Sequence, residues 1–149
     1  MQRNRSAFAN RSTPFGKLIQ TRSLSLKGGG CISPPFLHPA AMLWACCEDC
    51  PEFKAFFSSV LHGQRLKIVM YADEVTPGRE LLAYNQKKLW VLYWSFLDFG
   101  AGALANEDAL FTGLTLRSAM VNNKIAGGIA RIFKAVSYTH LTLPTILLV

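Results

Sequence analysis

The chain has 149 residues, of which 50% are hydrophobic, 11% aromatic and 17% charged. That length holds at most one ordinary domain, and the apolar content excludes a wholly disordered chain. The net charge of +7 is unevenly placed: Met1 to Gly30 carries Arg3, Arg5, Arg11, Lys17, Arg22 and Lys27 with no acid, and the first acidic residue is Glu48. Beyond Gly30 the two signs nearly cancel, which gives no charge argument for a DNA-binding face in the body.

Residues 1–34 read as a basic, disordered tail rich in Arg, Ser, Asn and Gly and closing on Gly28-Gly29-Gly30. Three readings of it stand side by side: non-specific contact with nucleic-acid phosphates, a transit peptide, or translation from an upstream start codon. Pro34-Pro35 and Pro39 mark the entrance to a globular domain over 35–135. Ala40 to Cys50 has the spacing of a helix, with Met42, Leu43, Cys46, Cys47 and Cys50 on one side. Pro51 ends it or opens the next helix. Glu52 to Leu61 places Phe53, Phe56, Phe57, Val60 and Leu61 in an i, i+3, i+4, i+7 pattern, and His62-Gly63 stops it.

The period then changes. Leu66 to Ala72 is a short apolar strand running into Asp73-Glu74, and Thr76-Pro77-Gly78 is a turn. Lys88 to Phe99 is a longer strand dense in aromatics, broken by Gly100-Ala101-Gly102, and Ala109 to Ser118 is a third. Val121 to Lys134 reads as a helix with Ile125, Ile129, Ile132 and Phe133 inward, weakened at Gly127-Gly128. The fold class is therefore α/β, in the α+β sense: two N-terminal helices, a three-stranded antiparallel meander, then a helix. No apolar run reaches the ~18 residues of a membrane span, so no membrane partner is expected.

Two elements bear on chemistry. Cys47-Glu48-Asp49-Cys50 is a C-x-x-C, joined by Cys31 and Cys46. A structural zinc site needs four ligands, with Cys31, His38 and His62 the spare candidates; the alternative is small apolar thiols packed near a helix end. The second is Met70 to Gly78, MYADEVTPG, in which an apolar strand ends on two carboxylates. A carboxylate there suits a hard divalent cation on a rigid element, or simply starts the turn and faces water. Trp90, Tyr93, Trp94 and Phe96 read as core, because a base-stacking platform needs basic neighbours on its face and only Lys88 is near. Lys87-Lys88 reads as a solvated turn able to touch a phosphate.

Residues 67–118 resemble the front of the RNase H-like catalytic domain of DDE-type transposases. The likeness rests on Val69-Met70-Tyr71-Ala72-Asp73-Glu74, then Lys88-Leu89-Trp90-Val91-Leu92-Tyr93-Trp94, then Ala109 to Leu116. It implies an incomplete RNase H-like domain, a nuclear parent protein acting on DNA, Mg²⁺ as that parent's metal, and Asp73 as the first metal-binding and catalytic Asp. Glu74 would point to the opposite face of the strand. Asp98, at the end of the second strand, is the other candidate metal ligand, able to approach Asp73 in an antiparallel pair; a surface Asp at a strand end is the alternative. One carboxylate cannot hold two Mg²⁺ ions, so this chain is expected to be inactive and to carry no cofactor. The motifs YADEVTPG and YWSFLDFG are closer still in wording to uncharacterised, highly repeated proteins of large protist genomes. That likeness implies no activity and leaves a non-catalytic interaction module as the other expectation.

Val136 to Thr145, VSYTHLTLPT, resembles a translated transposase end sequence used as a DNA-sequencing adaptor. The resemblance implies that 136–149 are foreign and that a longer native protein continues from this point. The alternative is an ordinary strand, since β-branched and aromatic residues are enriched there.

Overall fold

The structure, a computed structural model, describes Phe8, residues 10–61, 66–77, 87–106 and 109–141, and side chains as far as Ser137. It mixes helices with small sheets. The chain divides into two compact units, one drawn from residues up to 20, 37–70 and 93–113, the other from 21–36, 71–92 and 114 onward.

Residues 10–34, the described part of the basic N-terminal stretch, differ from the expected disordered tail. Strands β1 (Ser12–Thr13) and β2 (Gly16–Lys17) pair antiparallel around Pro14-Phe15. Gly16 closes this turn at φ +92°, where a residue with a Cβ would be strained, and Thr13 Oγ1 donates to the Gly16 carbonyl at 2.8 Å. A second, longer ribbon follows. Strand β3 (Ile19–Thr21) pairs with β6 (Pro35–Leu37), and β4 (Leu24–Ser25) pairs with β5 (Cys31–Ile32). At its base the His38 amide donates to the Leu18 carbonyl at 2.9 Å, and at its tip the Leu26 amide donates to the Gly30 carbonyl at 3.1 Å. The Gly28-Gly29-Gly30 run, expected to close a disordered tail, is therefore a hairpin turn, with Gly29 and Gly30 at positive φ. Leu18, Leu24 and Phe36 are buried. With Ala41 and Ala45 covering Leu18, these three apolar residues and two turns order a stretch whose bulk composition points the other way.

In the first unit, α1 (Pro39–Asp49) and α2 (Pro51–Val60) follow the expected helical spacing. The buried His38 caps α1, its Nδ1 accepting from the Ala41 amide at 3.3 Å. Cys50 ends α1 with its amide on the Cys46 carbonyl and begins α2 with its Sγ accepting from the Phe53 amide at 3.4 Å. The core of this unit gathers Leu43, Cys47, Phe57, Trp94, Phe96 and Phe99, flanked by Ile68 and Met70. Its aromatic rings interlock: Trp94 stacks on Phe111 with centroids 4.5 Å apart and meets Phe96 edge-on at 5.6 Å. A smaller cluster seats Leu18 against Ala41 and Ala45.

The three-stranded sheet has the order β7 (Ile68–Val75), β8 (Leu89–Phe96), β9 (Phe111–Arg117). The Leu97 amide donates to the Lys67 carbonyl and the Ser118 amide to the Lys88 carbonyl, so the end of one strand meets the start of its neighbour. Residues 97–99 form a 3₁₀ turn, and Gly100 opens the short α3 (Gly100–Leu104) at φ 81°, ψ 164°.

The single helix expected over 121–134 is broken in two. Met120–Lys124 form a π-turn, Ile125 bridges to Leu26, and α4 runs from Gly128 to Leu141. Gly127 and Gly128 both take positive φ, which a continuous right-handed helix cannot hold. Residues 136–141, read above as adaptor-derived, continue α4 and are not a strand; nothing in the sequence breaks a helix between Gly128 and Pro144. Among the described residues no helix is long and apolar enough to cross a membrane.

Candidate functional site

Asp73 and Asp98, the two expected metal ligands, occupy different places. Alternate residues of β7 face opposite ways: Ile68 and Met70 pack on the first unit's core, while Val69, Tyr71 and Asp73 are exposed. Asp73 is thus on the open face, and its Oδ1 accepts from the amide of Glu74 at 2.8 Å. Asp98 accepts from the Lys67 amide at 2.7 Å, immediately ahead of β7. Asp73 is the sixth residue of that strand and belongs to the second unit, whereas Asp98 belongs to the first.

The carboxylate that does meet other side chains is Glu74. Its Oε2 accepts from Lys88 Nζ at 3.3 Å. The Ser118 hydroxyl lies beside it, buried and closing no hydrogen bond of regular geometry. Glu74 is held below the ordinary glutamate range, first by the Ser118 hydroxyl and then by the Lys88 ammonium, against the opposing effect of partial burial. Glu74, Lys88 and Ser118 come from the end of β7, the residue before β8 and the residue after β9, so strand order brings them together. Sequence spacing had left Lys88 as a solvated turn and gave no signal for Ser118.

This cluster does not suit a two-metal centre. Glu74 is paired with an ammonium, Asp73 faces outward with one oxygen on a backbone amide, and Asp98 is bound elsewhere. Among the described residues no three His, Cys, Asp or Glu side chains come together as a metal site. The C-x-x-C is likewise built into structure: Cys47 is in the core, Cys50 caps α2, and Cys46 is half-buried. Burial pushes the Cys46 and Cys47 thiols up, which disfavours the thiolate a metal needs. His62 lies outside the described residues.

The electrostatic feature that sequence order concealed is the sorting of charge between units. Among the described residues the first unit is balanced, with Arg11, Lys17, Lys54 and Lys67 against Glu48, Asp49, Glu52 and Asp98. Arg11 is paired directly with Asp49. The described residues of the second unit include eight basic ones against Asp73 and Glu74. Two of the eight come from the hairpin, two from the start of β8, one from the end of β9, and three from the π-turn and α4. The positive excess that lies in the N-terminal stretch along the sequence lies, among the described residues of the fold, in the second unit, to which that stretch contributes Arg22 and Lys27.

The hairpin and the π-turn are joined within that basic unit. The Lys27 amide donates to the Lys124 carbonyl at 2.8 Å, and the Ala126 amide to the Ser25 carbonyl at 3.0 Å. Lys27 Nζ donates to the Asn122 carbonyl at 3.0 Å, and Trp90 Nε1 donates to Asn122 Oδ1 at 3.2 Å. Compared with known proteins, the chain matches no family, no characterised protein and no solved structure.

Proposed function

We propose that this chain is a non-catalytic interaction module from a mobile-element protein, and that its own task is to hold the phosphate backbone of nucleic acid without reading sequence. The observation that carries this reading is the charge sorting: among the described residues, eight basic ones against two acidic ones in one compact unit. Such an excess supplies the sequence-independent part of nucleic-acid affinity. The mobile-element origin is supported by the likeness of residues 67–118 to RNase H-like transposases. A longer parent that transfers DNA phosphodiesters with Mg²⁺ remains part of the proposal, but the residues here do not fit a metal pair, and no step is derived through one. The four cations invoked below all precede the adaptor-like stretch 136–145.

Fluorescence anisotropy tests the reading with two labelled duplexes of equal length and unrelated sequence. Both should bind with the same affinity, and the affinity should fall steeply as salt rises. A clear preference for one sequence, or affinity indifferent to salt, would overturn it.

A further inference from the structure

We infer that the docking surface for nucleic acid is the strip formed by Lys27, Lys124, Arg131 and Lys134, and that its occupant is duplex DNA held by its backbone. The inference rests on the reading above and narrows it from a unit to a surface.

The strip is assembled by three segments far apart in sequence. The hairpin turn brings Lys27 to the π-turn, where its amide bonds to the Lys124 carbonyl. The isolated bridge between Leu26 and Ile125 fixes the same junction. Ile125, buried beside Lys124, anchors the chain before it turns through Gly127 into α4. A Cβ on Gly127 would stand 3.2 Å from the Cβ of Arg131, which places Arg131 directly against the turn that follows Lys124. Arg131 and Lys134 are three residues apart and exposed, while Ile132 and Val136 turn inward. Residues three apart on a helix share a face, so the two cations continue the line from the turn. Lys27 and Lys124 are exposed as well.

Charge complementarity selects the occupant. The basic unit's two described carboxylates are on β7, and Glu74 is already paired with Lys88. Lys124, Arg131 and Lys134 belong to the π-turn and α4, where no acid occurs between Asn122 and Ser137, and Lys27 belongs to a hairpin that carries no acid. A single-stranded partner would want aromatic faces for its bases. Among the described residues the large apolar side chains that are exposed are Phe8, Phe56, Val69, Tyr71 and Leu97, none of them in the hairpin, the π-turn or α4, and Trp90 has its indole N–H on Asn122. Phosphates on a duplex are therefore the better fit.

The test uses the full chain and a labelled 20-base-pair duplex. Four phosphate contacts give a slope of about −3.6 in log affinity against log salt, or about 150-fold weaker binding between 50 and 200 mM. Lys124→Gln with Arg131→Gln should halve that slope and weaken binding roughly 10- to 100-fold at 100 mM salt. Lys54→Gln with Lys67→Gln removes the same charge from the balanced unit and should change affinity less than about twofold. Lys27→Gln with Lys134→Gln is a second, independent pair that should act like the first, should the first lose its wild-type circular dichroism spectrum. If wild type binds steeply with salt and both strip pairs match it, the strip is wrong and the broader reading survives. If wild type binds no duplex at 50 mM salt, both fail. Tighter binding to single-stranded DNA, to RNA of the same length, or to phosphatidylserine vesicles than to the duplex overturns the choice of occupant.

Discussion

Phe99 should be the residue on which the first unit's core depends most. Its ring is almost fully buried and lies 5.3 Å from Phe96, 5.4 Å from Phe56, and 6.3 Å from both Phe53 and Phe57. Truncating a buried Phe to Ala costs about 3–5 kcal/mol, combining lost transfer energy with the cavity left behind. Edge-on and tilted ring pairs at such distances add about 0.5–1.5 kcal/mol each beyond their area, so Phe99→Ala belongs near 4 kcal/mol. Phe56 touches the same ring but is 38% exposed, so its removal opens little cavity and Phe56→Ala should cost about 1 kcal/mol. Against a total stability of about 5–15 kcal/mol, the first loss brings the unit near its threshold and the second does not. Urea unfolding followed by tryptophan fluorescence measures both, since Trp94 sits in the same cluster. Equal losses for the two variants, or less than about 1.5 kcal/mol for Phe99→Ala, would mean that the rings do not pack as a single core.

Two further outcomes test other parts of the molecule. Gly100 adopts φ 81°, ψ 164°, a region almost confined to glycine, yet a Cβ there would meet nothing within 4 Å; Gly100→Ala should therefore lower stability by about 1–3 kcal/mol through backbone strain alone, and an unchanged urea midpoint would refute it. Glu74 has a depressed pKa, so the stability it contributes is present above its unfolded value and disappears as pH falls through its folded one. Stability should decline below the ordinary glutamate value near 4.5, and Glu74→Gln should flatten that decline in melts taken from pH 6 to pH 3. A decline of the same steepness in the variant would assign it to other carboxylates.

Helical spacing, the Pro51 break and the aromatic density of Leu89 to Phe96 were legible because each is a local pattern read against a known period. The strand edges moved by only a few residues. Two features were not legible. The acid-free N-terminal stretch looks unfoldable by composition, but its order comes from three buried residues and two turns, which an average over 34 residues hides. The site was less visible still. Asp73 stands out in sequence because two adjacent carboxylates end an apolar run, yet alternation along the strand turns Asp73 outward and Glu74 toward Lys88 and Ser118. Which of two neighbours faces inward depends on the strand's register. Likewise Lys27 and Lys124 are 97 positions apart in the chain, and only the hairpin brings them together.

The ribbon from Leu18 to His38 also bears on how the chain is made. Hairpins of this kind close in about 1–10 μs, whereas a ribosome adds about 5–20 residues per second. All contacts within the ribbon are available before α1 is translated. A hairpin alone in water is only marginally stable, however, so it forms and dissolves until Ala41 and Ala45 emerge to cover Leu18. The base of the amino-terminal ribbon is thus secured by the first helix, and its tip only when residues 124–126 have been made and bond to it.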